Sequence, residues 1–566
     1  MQAKVLTASE YLTHSLERLG VRHAFGVGGA NIEDLFDAIH RAKYLRCVLA
    51  KHEFSAATMA DGCARVGAPL GVVMATSGAG ALNLIPALAE AYTSCVPVLA
   101  LVGQVPSSLE GRGAFQDGSG RAGSIDIEAL FAEVSIYCRR VTHADEVPRA
   151  LHEALTAALG ERPGPSVLLL PKDVQRAAVD PHAPAFGLLP TAARRPPATD
   201  RVQAAAELLL RASRVLVIAG DGVARHGARC ELAAFAALMD ARVAVTPEAR
   251  DVFDNCDSHF VGVVGVMGHT SVARCLADAD ICVVVGTRLP YLAHAGIEAE
   301  LARRPLISVH FEPSFAEGAP RVELVGDVGV SLHALSARLD PRVSPATDAR
   351  HFPEELATTF LPGARAGALS YREALQAVAA ALPEDANIFV DAGNTGASAV
   401  HWVRCPPCGR FVVALGMGGM GHSFGGAIGA AFANGRRTFV LAGDGAFYMH
   451  GLEVHTALEY CLPITFILFN NDAHAMCFTR ERVYFGGGYS NNLFQPSELA
   501  AGLGAMFPTL TVLSGRTPSE IGESLRDVQS GPAVMSVCVD ACEVPPFAPF
   551  LESMKEADEN CARKAG

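Results

Sequence analysis

Long apolar runs, basic stretches and tryptophan are what this 566-residue chain has least of. No apolar stretch approaches the ~18–20 residues that a membrane-crossing helix needs, so no membrane span is expected. Lys plus Arg number 46 against 59 Asp plus Glu, a net charge of −13 with no basic run. That balance argues against nucleic acid or an anionic membrane as a partner. Residues Met1-Gln2-Ala3-Lys4-Val5-Leu6 carry no charged-then-apolar leader pattern, and a cytoplasmic protein is expected. The fifteen cysteines are odd in number, scattered and mostly set in apolar runs, as at Cys47, Cys275, Cys282 and Cys461. Buried reduced thiols fit that distribution better than a disulfide framework. Cys405 and Cys408 form a C-x-x-C, but with Cys538 and Cys542 the spacing is wrong for common zinc modules.

What the chain does have is hydrophobic material, half of its residues, enough for several cores. Two Pro- and Ala-rich stretches, Val179–Thr199 and Asp340–Gly367, read as linkers. They divide the chain into segments 1–180, 195–340 and 368–545, with a short polar tail, 546–566, expected to drape over a neighbour. Each segment alternates short apolar, β-branched runs with Ala/Leu-rich helical stretches. Gly71–Ala75, Val96–Val102 and Ser166–Leu170 are examples in the first, Val215–Ile218 and Ile281–Val285 in the second, Thr438–Ala442 and Ile464–Phe469 in the third. Near-continuous apolar strands between helices mean mainly parallel sheets covered on both faces, so the fold class is α/β, three times over. A faint repeat links the outer segments: Gly164-Pro165 and Gly531-Pro532 each lead into an apolar strand.

The sharpest chemical signal is Gly443-Asp444-Gly445 after one strand, with Asn470-Asn471 closing the next. A carboxylate at a strand end beside a glycine turn can hold Mg²⁺ while backbone N–H groups meet a phosphate, and Asn471 can add a neutral oxygen. The crevice at the carboxyl ends of such strands is where open α/β sheets bind ligands. Gly220-Asp221-Gly222 repeats the first half with no Asn pair behind it, and Asn491-Asn492 repeats the second half in a loop-like context.

With these residues the chain resembles the thiamine-diphosphate enzymes of the acetolactate synthase and 2-oxoacid decarboxylase superfamily, whose G-D-G…N-N motif binds Mg²⁺-diphosphate. Lys51-His52-Glu53 with Ala60-Asp61-Gly62-Cys63-Ala64-Arg65 is similar to the family's R-H-E…A-x-G-Y-A-R. Thr76-Ser77-Gly78-Ala79-Gly80-Ala81-Leu82-Asn83 resembles S-G-P-G-x-x-N. Ala114-Phe115-Gln116-Asp117 resembles the synthases' A-F-Q-E, and Gly418-Gly419-Met420-Gly421-His422 with Ala427-Ile428-Gly429-Ala430 resembles G-x-M-G-F…A-I-G-A. The resemblance covers nearly the whole chain and implies thiamine-diphosphate-binding folds for the outer domains around a Rossmann-like middle one.

It also implies roles. Glu53 would hydrogen-bond the cofactor's pyrimidine N1′, the Gly418 carbonyl would accept from its 4′-amino group, and Met420 would wedge the bent cofactor. Asp444, Asn471 and the Ala473 carbonyl would hold Mg²⁺. Gly443, Gly445, Ala446 and Met476, with Gly393, Asn394 and Thr395 in the loop after Phe389-Val390, are the remaining expected cofactor contacts. His422 and His474 are candidate proton carriers, against the commoner structural use of lone histidines. Gly28, Gly29 and Ala30 would face the substrate with Phe115 and Gln116. The family places Glu53 and the Mg²⁺ site on different subunits, so a homodimer or homotetramer is implied.

The implied reaction is decarboxylation of a 2-oxo acid donor followed by acyl transfer to a second carbonyl acceptor. The alternatives are a decarboxylase or C–C lyase releasing an aldehyde, and a flavin-dependent, pyruvate oxidase-like enzyme. No His-His pair occurs and Cys477 stands where the pyruvate decarboxylases carry Glu, which disfavours simple aldehyde release. The synthases' M-V-x-Q-W-Q is replaced by Met476-Cys477-Phe478-Thr479-Arg480-Glu481, and the only tryptophan is Trp402. A different, bulkier acceptor or donor follows, with Arg480 or Arg482 available to an acidic substrate or simply solvated. Gly286-Thr287-Arg288 resembles the synthases' G-x-R near FAD, while other relatives leave that domain empty or fill it with a nucleotide.

Overall fold

The runs that read as most continuously apolar lie at the centres of sheets. Gly71–Ala75, Val98–Gln104 and Pro165–Pro171 are buried at every position, whereas Arg46–Leu49 and Tyr137–Arg140, which mix polar and apolar residues, form the edges. The computed structural model describes residues 5–180, 194–318, 321–342, 353–365, 367–488, 490–528 and 530–565. Among them are three six-stranded sheets, each parallel throughout.

Numbering strands along each sheet, the first and third both run in the order 2-1-3-4-6-5. The faint Gly-Pro repeat is therefore structural: both copies open the sixth strand, Pro165–Pro171 and Ala533–Cys538. The middle sheet runs 6-5-4-1-2-3 and reverses between Val215–Ala219 and Ile281–Val285, a doubly wound order. No helix among the described residues is long and apolar enough to cross a membrane.

Two helices join the outer domains. Each follows the second strand of its own sheet: Glu53–Arg65 in the first and His422–Asn434 in the third. Glycines let their backbones touch. A Cβ at Gly62 would lie 2.1 Å from the Gly426 carbonyl oxygen, one at Gly429 1.8 Å from that of Met59, and one at Gly425 2.0 Å from Thr58 Oγ1. No side chain larger than hydrogen fits at these three positions without the helices separating.

About half of the two linker stretches, residues 181–193, 343–352 and 366, lies outside the described residues. Part of the second is not linker at all: Thr359–Phe360 pairs antiparallel with Glu543–Val544. The polar tail is likewise a helix, Ala548–Ala565, and its Phe550 is buried with Leu361, Phe478 and Val544. Of its described side chains, Leu551 and Met554 pack on the same cluster as Phe550, an apolar side that net polarity conceals.

Candidate active site

Three neighbouring strand ends of the third sheet converge on one cleft of about 180 Å³. After Asn387–Val390 the chain turns at Gly393, φ +92°, into the helix Asn394–Trp402. Gly443, Asp444, Gly445 and Ala446 follow Thr438–Gly443, and Asn471 and Ala473 follow Ile464–Asn470. Gly393, Asn394, Thr395, Met420, His474 and Met476 line it too, so of the expected cofactor residues only Gly418 and Glu53 do not.

Within the cleft the Asp444 carboxylate is the focus. Gly445 N–H donates to one oxygen at 2.9 Å and Asn471 N–H to the other at 3.2 Å. Asp472, held at φ +55°, lets the turn wrap back around that carboxylate. Among the described residues no basic side chain pairs with Asp444, and burial pushes its carboxyl up to about 6 despite these N–H donors. The side chain of Asn471 is fixed at both ends: its Oδ1 accepts Ala473 N–H at 3.0 Å and its Nδ2 donates to Tyr371 Oη at 2.9 Å. Asn394 donates Nδ2 to the Glu543 carbonyl at 3.2 Å, which leaves its buried Oδ1 without a partner. A free acceptor suits a cation or its water better than a phosphate oxygen. Gly445 has room for no side chain, since a Cβ would meet His474 Nδ1 at 2.5 Å and the Met420 methyl at 3.3 Å. Among the described residues His474 Nδ1 is itself buried and unpartnered; the backbone N–H of His474 donates to the Asn492 carbonyl at 2.8 Å, and its ring packs edge-on against Phe494.

A second cluster sits at strand ends of the first sheet. Glu53 begins its helix and accepts from Asn83 Nδ2 at 2.9 Å, with Gly80 and Thr76 beside it. Asn31 Nδ2 donates to Ser77 Oγ at 2.7 Å, and Ser77 Oγ to Gln116 Oε1 at 3.3 Å. Gly29 packs on Thr76 with no space for a Cβ, Gly28 is open, and the Ala30 carbonyl receives Lys172 Nζ at 2.6 Å. Gln116 holds φ +66°, unusual for a residue with a side chain, and Phe115 beside it is 85% exposed.

The single chain does not bring the two clusters together: Glu53 is absent from the Asp444 cleft. His422 is not there either. It lies in the helix seam, where its buried Nε2 meets Asp61 Oδ1 at 2.9 Å and Asp61 also binds Arg65. Within the chain this candidate proton carrier makes a buried hydrogen-bonding contact with Asp61, because a histidine at the start of a helix that packs inward points into the seam. Sequence reading missed Tyr371, 100 residues from Asn471, for which no local signal exists. It also missed Asp391, which stands two residues before Gly393.

A further crevice, about 480 Å³, opens where the middle sheet reverses and is lined by Asp221, Arg225, Gly286, Thr287, Arg288 and Phe311 among others. Gly220-Asp221-Gly222 is thus no idle turn. Gly222 N–H donates to the Gly286 carbonyl at 2.8 Å, and Asp221 pairs with Arg410 of the third domain at 2.8 Å.

Residues 6–122 match the thiamine pyrophosphate enzyme N-terminal TPP-binding domain, 202–335 the central domain and 391–537 the C-terminal TPP-binding domain of the same enzymes. The acetolactate synthase isozyme 1 large subunit of Escherichia coli (strain K12) is 29% identical over 577 aligned positions, with 98% of each chain covered. The acetolactate synthase of Arthrospira platensis is 31% identical over 511 positions, 86% of each chain. A probable acetolactate synthase large subunit of Methanocaldococcus jannaschii is 27% identical, with 96% of this chain and 94% of its own covered. With a buried carboxylate and an asparagine turn at adjoining strand ends, and with relatives along its full length, the chain belongs to the thiamine pyrophosphate enzymes of the acetolactate synthase superfamily.

Proposed function

We propose that the protein is a thiamine-diphosphate-dependent carboligase that decarboxylates a 2-oxo acid such as pyruvate and passes the acyl unit to a second carbonyl compound. The observation that carries this reading is the unpaired, buried Asp444 carboxylate wrapped by the Asn471 turn at three adjoining strand ends. A carboxylate, an amide oxygen and a backbone carbonyl are hard oxygen donors, too few to enclose a cation alone, which suits Mg²⁺ shared with a diphosphate. Asp444, Asn471 and the Ala473 carbonyl would hold the ion. The amides of Gly445 and Ala446 and the hydroxyl of Thr395 would meet the diphosphate, and Asn394 Oδ1 would serve the cation side.

When bound, thiamine diphosphate supplies an acidic thiazolium C2–H and an aminopyrimidine base of its own. Glu53, oriented by Asn83, would hold the proton on pyrimidine N1′. Met420, already against Gly445, would support the bend between the rings, and the Gly418 carbonyl would accept from the 4′-amino group. His474 Nδ1 is placed to exchange a proton inside the cleft, and Gln116 with Gly28, Gly29, Ala30 and Phe115 would face the substrate. Because Glu53 and the Asp444 cleft lie apart in one chain, the proposal includes a homodimer or homotetramer in which Glu53 of one subunit completes the cleft of another.

The middle-domain crevice supports a dinucleotide such as FAD as a second reading: Arg225 and Arg288 in its lining would meet a diphosphate and Phe311 a ring. A flavin spectrum of the purified protein, bleached by substrate, would redirect the reading to an oxidase. The deciding experiment is an NMR time course with thiamine diphosphate, Mg²⁺ and ¹³C-labelled pyruvate, with and without carbonyl acceptors. Label in a new C–C-bonded product supports the carboligase. Acetaldehyde alone favours the decarboxylase, and untouched pyruvate removes it as the donor.

A further inference from the structure

The loop Gly416–Gly421 carries the Gly418 carbonyl and Met420, and two buried carboxylates from different domains grip its two ends. At the far end Asp391 accepts from Gly421 N–H at 2.9 Å, from Ser423 N–H at 3.1 Å and from Ser423 Oγ at 2.7 Å. That grip lies within the third domain. At the near end the grip comes from the first domain, through Glu90 of the helix Ile85–Thr93. Glu90 is 2% exposed, and its two oxygens take consecutive backbone amides, Gly416 N–H at 3.3 Å and Met417 N–H at 2.6 Å. Ser94 Oγ donates to it at 2.7 Å and Arg65 Nη2 lies 3.5 Å away. Gly416 seats so closely that a Cβ would lie 2.1 Å from Thr93 Oγ1.

Among the described residues no carboxylate grips the stretch between. Gly418 has φ +67° with no atom within 4 Å of a Cβ, and the Met417 side chain is 59% exposed. An apolar contact would close this seam between domains at less desolvation cost than a carboxylate, so the use of a buried charge needs a reason. The reason on view is geometric. Two oxygens on one rigid group fix two successive peptide units, and with them the direction in which the chain leaves toward Gly418 and Met420.

We infer that Glu90 is a positioning residue: from the first domain it sets where the Gly418 carbonyl and Met420 stand over the cleft of its own chain, and Arg65 sets Glu90. The clamp rests on contacts alone, while its chemical consequence rests on the proposed function.

The test is Glu90→Gln in the full-length protein. Glutamine keeps the size but offers one oxygen in place of two and turns an NH₂ group toward donors. In the cofactor-free protein, amide hydrogen exchange over Gly416–Met417 should quicken about tenfold or more. Affinity for thiamine diphosphate with Mg²⁺, titrated by fluorescence, should stay within about threefold, because the diphosphate end is untouched. In the loaded enzyme kcat and the rate of deuterium exchange at thiazolium C2 should fall together by about tenfold or more, with the donor KM within about threefold. Unchanged exchange over Gly416–Met417 removes the clamp. A loosened loop with unaltered kcat and C2 exchange removes the positioning role, as does a loss of cofactor affinity that alone accounts for the lost rate. A wild-type protein that exchanges no C2 proton defeats the proposed function instead, and the loop measurement still decides the clamp. Should Glu90→Gln fail to fold, Ser94→Ala decides: it removes one donor and leaves the charge, and smaller changes in loop exchange and kcat must appear together or the inference fails.

Discussion

The backbone N–H of Asn471 reaches the Asp444 carboxylate at 3.2 Å across two neighbouring strand ends, so the two halves of a motif 27 residues apart are bonded directly to each other.

Asp444→Asn tests what that carboxylate is for. It keeps the shape and one acceptor oxygen but removes the charge that a divalent ion requires. Affinity for thiamine diphosphate with Mg²⁺ should fall about a hundredfold or more, while the cofactor-free protein melts within about 3 °C of wild type. Isothermal titration and thermal melts report the two separately. A large loss of melting temperature with affinity retained would make Asp444 a structural residue.

Glu53→Gln addresses the other cluster. Its partner Asn83 can hydrogen-bond either side chain, so folding should be little affected. Deuterium exchange at thiazolium C2 and kcat should each drop about a hundredfold, with cofactor affinity changed less than about tenfold. Normal turnover would remove the whole mechanistic assignment.

Arg480 sits one turn beyond Met476 and Cys477, which line the cleft, and its side chain is exposed. Arg480→Ala should raise KM for an acidic acceptor about tenfold and leave KM for an uncharged aldehyde within about twofold. Equal effects on both would place Arg480 among ordinary solvated arginines.

Acid should unfold the protein early, and His401 is one cause. Burial holds its imidazole down to about 4, since as a neutral ring it accepts Leu356 N–H at 2.9 Å on Nε2 while Nδ1 lies 3.1 Å from the Met267 carbonyl. His310 is lowered further, to about 3, by burial and then by Arg225. Their folded values lie below the unfolded one, near 6.5, so the unfolded chain gains protons first. The stability they contribute is complete above pH about 6.5 and drains away as pH falls toward their folded values. Melting temperature should decline steadily from pH 7 to pH 4.5, and His401→Gln, which keeps an amide to bond both backbone groups, should flatten that slope. A slope unaltered by the substitution would move the acid sensitivity elsewhere.

Much of this was legible in the sequence, for local reasons. Gly443-Asp444-Gly445 and Asn470-Asn471 could be read because an apolar strand run fixes where its own end lies. Glu53 could be read because a helix start carries its motif within a dozen residues. Gly164-Pro165 and Gly531-Pro532 even announced the common sixth strand. Tyr371 and Glu90 could not be read, since their partners Asn471 and Met417 lie 100 and 327 residues away. The contact of His422 with Asp61 could not be read either, since 361 residues separate the two. Thr359–Phe360 hid in a proline-rich stretch because two residues are too few to show a period.

The glycine seam has one more consequence. The two helices that meet there occupy the same station in two domains of identical strand order, so the contact is an approximate twofold dimer folded into one polypeptide. Its association is first-order, independent of protein concentration. Cut the chain between the domains and the same contact becomes bimolecular, so its occupancy falls with dilution.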